Sequence, residues 1–215
     1  MYVPRKFSMS DDEVADALRE ARLAYLTTPD RDGGATAVTP LPMLYDDTGH
    51  RLLGHVARAN PHWRSASPEV ETVAIFPGPD AYISPTFYAT KAETGKTVPT
   101  WNYEVIAVYG RLHVVDDPDW LREQVTALSE RHERDRTEPW SVSDAPADYV
   151  TDQLRAIVGV EVAITRWEGK AKLSQNQPAR NRDGVIAGLS VSERRGDRDV
   201  AERMIAEPGL PAPGA

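Results

Sequence analysis

Hydrophobic and polar positions alternate with period two along several short stretches of the chain, and recur at helical spacing along a few others. Ser10-Asp11-Asp12-Glu13 has the form of a capping box, and Val14, Ala17, Leu18 and Ala21 follow at helical intervals, which predicts a helix over 11–21. Leu23 to Thr28 predicts a strand and Asp30 to Gly34 a turn. Ala35 to Tyr45 predicts a second strand, bent or bulged at Pro40 and Pro42 because proline cannot donate to a ladder. After a turn over 46–49, strands are expected at 51–57 and 73–76, with a short helix at 61–67 opened by Pro61. Tyr82 and Ile83 extend the sheet, and 84–99, rich in Gly, Pro and Thr, reads as loop.

The longest strand signals are 101–116 and 158–173. Between them lie a charged amphipathic helix over 118–136, with Leu121, Val125 and Leu128 as its apolar stripe, and a second helix over 147–157. Two more helices are expected near 180–190 and 198–207, followed by a frayed Pro/Gly-rich end. Strands without regular βαβ alternation disfavour a parallel sheet. The expected class is mainly β with helices: a closed antiparallel barrel with peripheral helices. The domain expectation is one main domain over 1–190, with 191–215 as a C-terminal helix and tail.

Composition narrows the possibilities. The chain has 215 residues, 40% hydrophobic and 27% charged, as an ordinary globular protein has. There are no cysteines, which removes disulfides, thiolate metal sites and a cysteine nucleophile. No apolar run is long enough to span a bilayer, and MYVPRKFSMSDDEV lacks the apolar region of a secretory signal, so a cytoplasmic location is expected. The formal net charge of -8 argues against a broad basic face for nucleic acid. Arg180, Arg182, Arg194, Arg195 and Arg198 could form a C-terminal basic patch, but Asp183, Glu193, Asp197 and Asp199 offset it. Direct, sequence-specific DNA binding by the chain alone is therefore not expected.

Three segments could carry chemistry. Gly54-His55-Val56-Ala57-Arg58-Ala59-Asn60-Pro61-His62-Trp63 joins a strand to a helix, where free N–H groups and an arginine suit a phosphate. Asn60 reads equally as an N-cap, Arg58 as a surface charge and Trp63 as core. Tyr82 and Ser84, with Val98-Pro99-Thr100-Trp101-Asn102-Tyr103, place aromatic rings beside hydrogen-bonding side chains, which suits a planar polar ring such as a flavin; the same aromatics could also pack a barrel end. Lys170 and Lys172 share one face of a strand that leads into Ser174-Gln175-Asn176, either as an anion site or as a solvated strand end. The histidines, at 50, 55, 62, 113 and 132, have no metal spacing, so no metal site is expected, and no side chain stands out by which a catalytic residue could be named. His55 and His62 leave a haem-binding alternative open.

Together GHVARANPHW, GPDAYISPTFY, VPTWNY and KLSQN, with Asn181 to Val185, resemble the PaiB-like family of FMN-binding negative transcriptional regulators. The resemblance runs from MYVPRKF to about Leu189. It implies a six-stranded antiparallel FMN-binding split β-barrel related to pyridoxamine phosphate oxidase, FMN as cofactor, and a homodimer with FMN at the subunit interface. In that superfamily a Ser-Arg-Lys-type turn holds the phosphate; here Ala57-Arg58-Ala59 stands in its place and keeps only the arginine. The resemblance implies His55, Arg58, Asn60 and Trp63 near the phosphate and ribityl chain. It places Tyr82, Ser84, Trp101 and Asn102 near the ring or the dimer seam, with Lys172 and Gln175 as further contacts. FMN-dependent oxidation or reduction of a small-molecule substrate is the alternative to a regulatory role.

Overall fold

A computed structural model describes residues 1–30, 34–67 and 69–207. The expected turn at Asp30 to Gly34 falls largely outside these residues, as does the expected frayed end at 208–215. The strands are β1 (Leu23–Thr28), β2 (Ala37–Pro42), β3 (Leu44–Asp46), β4 (Arg51–Ala57), β5 (Glu71–Ile83), β6 (Thr100–Val115) and β7 (Ile157–Lys172). The α-helices are α1 (Asp11–Glu20), α2 (Thr90–Thr94), α3 (Pro118–Glu133), α4 (Ala147–Arg155), α5 (Ala179–Ser190) and α6 (Arg195–Ala206). Short 3-10 turns lie at Arg5–Phe7, Pro61–Ser65, Pro85–Phe87 and Val142–Asp144. The chain divides into two compact units. One is Met1–Asp11, Pro77–Ile106 and the described part of Glu168–Ala215; the other is Asp12–Phe76 and Ala107–Trp167.

The second unit holds the curl of the sheet. The strand order is β2-β1-β5-β6-β7-β4-β3, seven strands rather than the expected six. The extra strand comes from the expected single strand Ala35 to Tyr45. It divides at Met43, a residue only 1% exposed. Before the break, β2 pairs antiparallel with β1 (Leu23 opposite Pro42, Tyr25 opposite Pro40); after it, β3 pairs antiparallel with β4 (Leu44 opposite Leu53). The two ends of the strand order are thus separated in sequence by one residue, which requires the sheet to curl back on itself. Pro40 and Pro42 lie on β2, at one end of that order, where a missing N–H donor is tolerated.

Alternation supplies the core. Ala24, Leu26 and Thr28 of β1 point inward, as do Leu52, Gly54 and Val56 of β4. In β6, a Cβ on Gly110 would lie 2.2 Å from the Ala163 carbonyl oxygen of β7, so only glycine allows this backbone approach. Asp117 caps α3, its carboxylate accepting from the N–H groups of Asp119 and Trp120. Leu121 of α3 packs with Val150 and Leu154 of α4.

The first unit packs Ala81, Ile83, Tyr88 and Leu173 against Val185 and Leu189 of α5 and Val200, Ala201 and Met204 of α6. The stretch 84–99, read as loop, contains a 3-10 turn and α2, which ends on Gly95 at φ 64°. Gly184 of α5 lies against the loop: a Cβ there would sit 2.0 Å from the Phe87 carbonyl oxygen.

Candidate functional site

In the second unit, β4 ends at Ala57 and the chain turns tightly, the N–H of Asn60 donating to the Ala57 carbonyl at 2.8 Å. Asn60 caps the following 3-10 turn: its Oδ1 accepts from the His62 N–H at 3.0 Å, while its Nδ2 donates to Thr39 Oγ1 at 3.1 Å. His62 is buried, with Nδ1 2.8 Å from Thr39 Oγ1 and Nε2 2.9 Å from Thr28 Oγ1. Thr28 in turn shares a 2.9 Å hydrogen bond with Thr72. Burial pushes the imidazole pKa down, so His62 is a neutral structural link between strands. Both its nitrogens are already engaged, which leaves none to ligate haem iron. His55 pairs through Nδ1 with Gln124 Oε1 at 2.7 Å, and the buried Gln124 Nε2 has no partner among the described residues.

Arg58 follows the strand. Its Nη1 and Nη2 donate to the two oxygens of Asp116 at 2.9 and 2.6 Å, its Nε to the Arg155 carbonyl at 2.9 Å, and Nη2 again to the Ile157 carbonyl at 3.0 Å. The Asp116 side chain is 58% exposed, and Arg58 holds its carboxyl below the usual carboxylate range by hydrogen bonding. Trp63 is fixed by its Nε1, which donates to the Arg58 carbonyl at 3.1 Å, and the Arg64 guanidinium lies 4.6 Å from its ring centroid. Beside this corner is a cavity of about 410 Å³ whose wall carries three arginines, Arg58, Arg122 and Arg155, two carboxylates, Asp116 and Asp119, and the apolar Leu121 and Leu154. Arg155 pairs with Asp152 at 2.8 Å, whereas Arg122 has no ion-pair partner among the described residues. In the sequence, Arg122 is one of many charges on the amphipathic helix over 118–136, and nothing there singles it out. No spacing rule connects it to Arg58; only the fold brings them to one cavity.

The remaining predicted residues lie in the first unit. There the fold joins VPTWNY to KLSQN. Lys172 donates to Thr100 Oγ1 and to the Trp101 carbonyl. The buried Asn102 donates through Nδ2 to Ser174 Oγ at 2.9 Å and contacts Met204 Sδ. Ser174 adopts φ 60°, unusual for a residue with a Cβ, and Gln175 holds this turn. Gln175 Oε1 accepts from the Leu173 N–H at 2.7 Å and its Nε2 donates to the Ala171 carbonyl at 2.6 Å. Tyr82 and Trp101 meet edge to face, ring centroids 5.9 Å apart, each about half-exposed. Ser84 caps the 3-10 turn after β5 by accepting from the Thr86 N–H at 3.2 Å. Asn102 and Lys172 line a second cavity, of about 360 Å³.

The C-terminal arginines are largely committed within the same unit. Arg180 forms a two-pronged pair with Glu93. The buried Arg182 donates to the carbonyls of Leu173, Met204 and Glu207 at 2.8, 2.9 and 2.8 Å. Arg198 donates to the Ser192 carbonyl, and Arg195 lies 3.8 Å from Asp199.

Residues 1–166 match the family described as "Putative FMN-binding domain". The chain is 28% identical over 207 residues to the protease synthase and sporulation protein PAI 2 of Bacillus subtilis, covering 95% of this chain and 96% of that protein. It is 36% identical over 176 residues to an uncharacterized protein of Aspergillus fumigatus, covering 67% of each. Among solved structures, the FAD and heme binding protein from Mycobacterium smegmatis superposes with a TM-score of 0.58 at 20% identity, over 86% of this chain and 80% of that one. That likeness establishes a shared fold.

Proposed function

The chain belongs to the family of the "Putative FMN-binding domain" and is a PaiB-like FMN-binding protein, and we propose that it takes the FMN phosphate at the strand-to-helix corner, on Arg58 and Arg122. The observation that carries this assignment is the cavity of about 410 Å³ at that corner, inside the matched residues, with arginines on its wall. The donor set fits. Arg58 presents a planar fork, and the Asp116 carboxylate that now occupies it is exposed to solvent, so a phosphate dianion can compete for the same N–H groups. Arg122 adds a cation free of an ion pair among the described residues. His55, Asn60 and Trp63 act by positioning, since each is held in a hydrogen bond that shapes the corner. Bound FMN would supply one- and two-electron chemistry at its ring. An absorption spectrum of the purified protein, with the ligand's mass, tests the cofactor: flavin bands and the mass of FMN support it, and a Soret band alone contradicts it.

We further propose that this cofactor serves oxidation or reduction of a small molecule, and that the C-terminal arginines do not read DNA. Arg180, Arg182 and Arg198 are committed to intramolecular acceptors, which supports that reading over direct DNA contact. Oxidation of a reduced nicotinamide by the FMN-loaded protein supports it. A nanomolar gel shift at physiological salt, lost on substituting Arg194 and Arg195, contradicts it. The exposed Leu23, Tyr25 and Val38 share one face of the β1–β2 pair and offer the apolar surface that a homodimer would cover. Light scattering of Tyr25→Lys beside the parent tests this; an unchanged dimer mass removes β1–β2 from the interface.

A further inference from the structure

The second cavity, in the first unit, differs in character from the corner that the phosphate assignment uses. It measures about 360 Å³, and its wall carries Lys6, Lys96 and Lys172 without a single Asp or Glu. None of these lysines has an ion-pair partner among the described residues. Lys6 leans over the Phe7 ring at 5.1 Å, and Lys172 spends two of its donors on Thr100 and the Trp101 carbonyl. Burial and the neighbouring Lys170 both push the Lys172 pKa down, the signature of a cation lacking a counter-charge. Lys172 is thus a half-buried cation on a wall without carboxylates, and an anion seated there supplies the missing counter-charge.

The rest of the wall is prepared for more than a bare ion. Asn102 and Asn181 are almost completely buried, and each is fixed by hydrogen bonds: Asn102 to Ser174, and Asn181 through Nδ2 to Thr90 Oγ1 at 3.0 Å and Oδ1 from the Thr90 N–H at 3.2 Å. Phe7 and Tyr88 supply buried apolar surface on the same wall. A pocket of this size lined by both kinds of group suits a small organic molecule.

We propose that this cavity is a binding site for a compact organic dianion, a phosphate monoester or a dicarboxylate with an apolar body, separate from the FMN phosphate site. Lys6, Lys96 and Lys172 provide the charge. Lysine supplies point charges rather than a fork, so the site accepts either head group. Phe7 and Tyr88 hold the body.

The test uses the full-length, FMN-loaded protein and two probes with one ring and different head groups, phenyl phosphate and phthalate, followed by calorimetry. Lys6→Gln and Lys96→Gln are the variants, because both lysines are exposed and make no side-chain hydrogen bond that the fold depends on. Saturable binding of either probe, weakened about tenfold in the double variant with flavin content unchanged, is the expected result. The relative affinity of the two probes then identifies the head group. Absence of binding by both probes overturns the proposal, as does probe binding that the double variant leaves intact. Loss of flavin along with the probe also overturns it, by making the cavity part of the FMN site; flavin loss confined to corner variants leaves the two sites independent.

Discussion

Arg58 and Asp116 meet fork to fork, Nη1 to Oδ2 at 2.9 Å and Nη2 to Oδ1 at 2.6 Å, at the corner where β4 gives way to the Pro61–Ser65 turn. The carboxylate occupies the N–H groups that a phosphate would use. Asp116→Asn removes the competing charge while keeping the shape, and FMN affinity is expected to rise about threefold to tenfold. Flavin fluorescence titration reads the change directly. A fall in affinity instead would mean that Asp116 positions Arg58 and does not compete with the ligand.

His62 gives a pH signature. Both ring nitrogens are hydrogen-bonded inside the protein and burial keeps its folded-state pKa below the ordinary value of about 6.5. Below that value the unfolded chain takes up a proton that the folded protein resists. The stabilising contribution is therefore complete above about pH 6.5 and is lost as pH falls toward the depressed folded value. Thermal unfolding between pH 7.5 and 5 should show this slope, and His62→Gln should flatten it. His62→Ala, which leaves the Thr28 and Thr39 hydroxyls facing a void, should cost about 2–4 kcal/mol.

Gly110 tests the β6–β7 approach. A methyl group there would meet the Ala163 carbonyl oxygen at 2.2 Å, backbone that cannot move aside as a flexible side chain would. Gly110→Ala is expected to destabilise by about 2–4 kcal/mol in urea unfolding. Val108→Ala, a buried position on the same strand, distinguishes overpacking from a generally fragile strand: its loss should follow the cavity it opens.

Arg182 is a structural cation. Its guanidinium satisfies the carbonyls of Leu173, Met204 and Glu207, the latter two at the end of α6. Arg182→Met keeps the packing but orphans those carbonyls, with an expected loss of about 3–5 kcal/mol. Arg195→Ala, at an exposed pair, should change stability little. Equal effects of the two would remove the distinction.

Much of the architecture was legible because local signals agreed with the final packing. The strands at Leu23–Thr28 and Arg51–Ala57, the helix that begins at Pro118, and its apolar stripe led by Leu121 all reappear. The break at Met43 was not legible, since no side-chain pattern says that one strand will change partners from β1 to β4; the prolines signalled a bend only. The joining of VPTWNY to KLSQN through Lys172 and Asn102 could be guessed only from motifs read together, because 72 residues separate Asn102 from Ser174. Arg122 and the Asp116 counter-ion escaped entirely. Each looks like an ordinary surface charge until the fold sets it beside Arg58.

The central claim is that the Arg58 corner holds the phosphate of FMN, and titration of flavin-free protein tests it most directly. FMN and riboflavin, which lacks the phosphate, are compared on the parent, Arg58→Ala and Arg122→Ala. The expected result is saturable FMN binding that each variant weakens by roughly tenfold, with riboflavin binding weak and the same in all three. FMN affinity in Arg58→Ala equal to that of the parent, with the fold intact by circular dichroism, would contradict the claim.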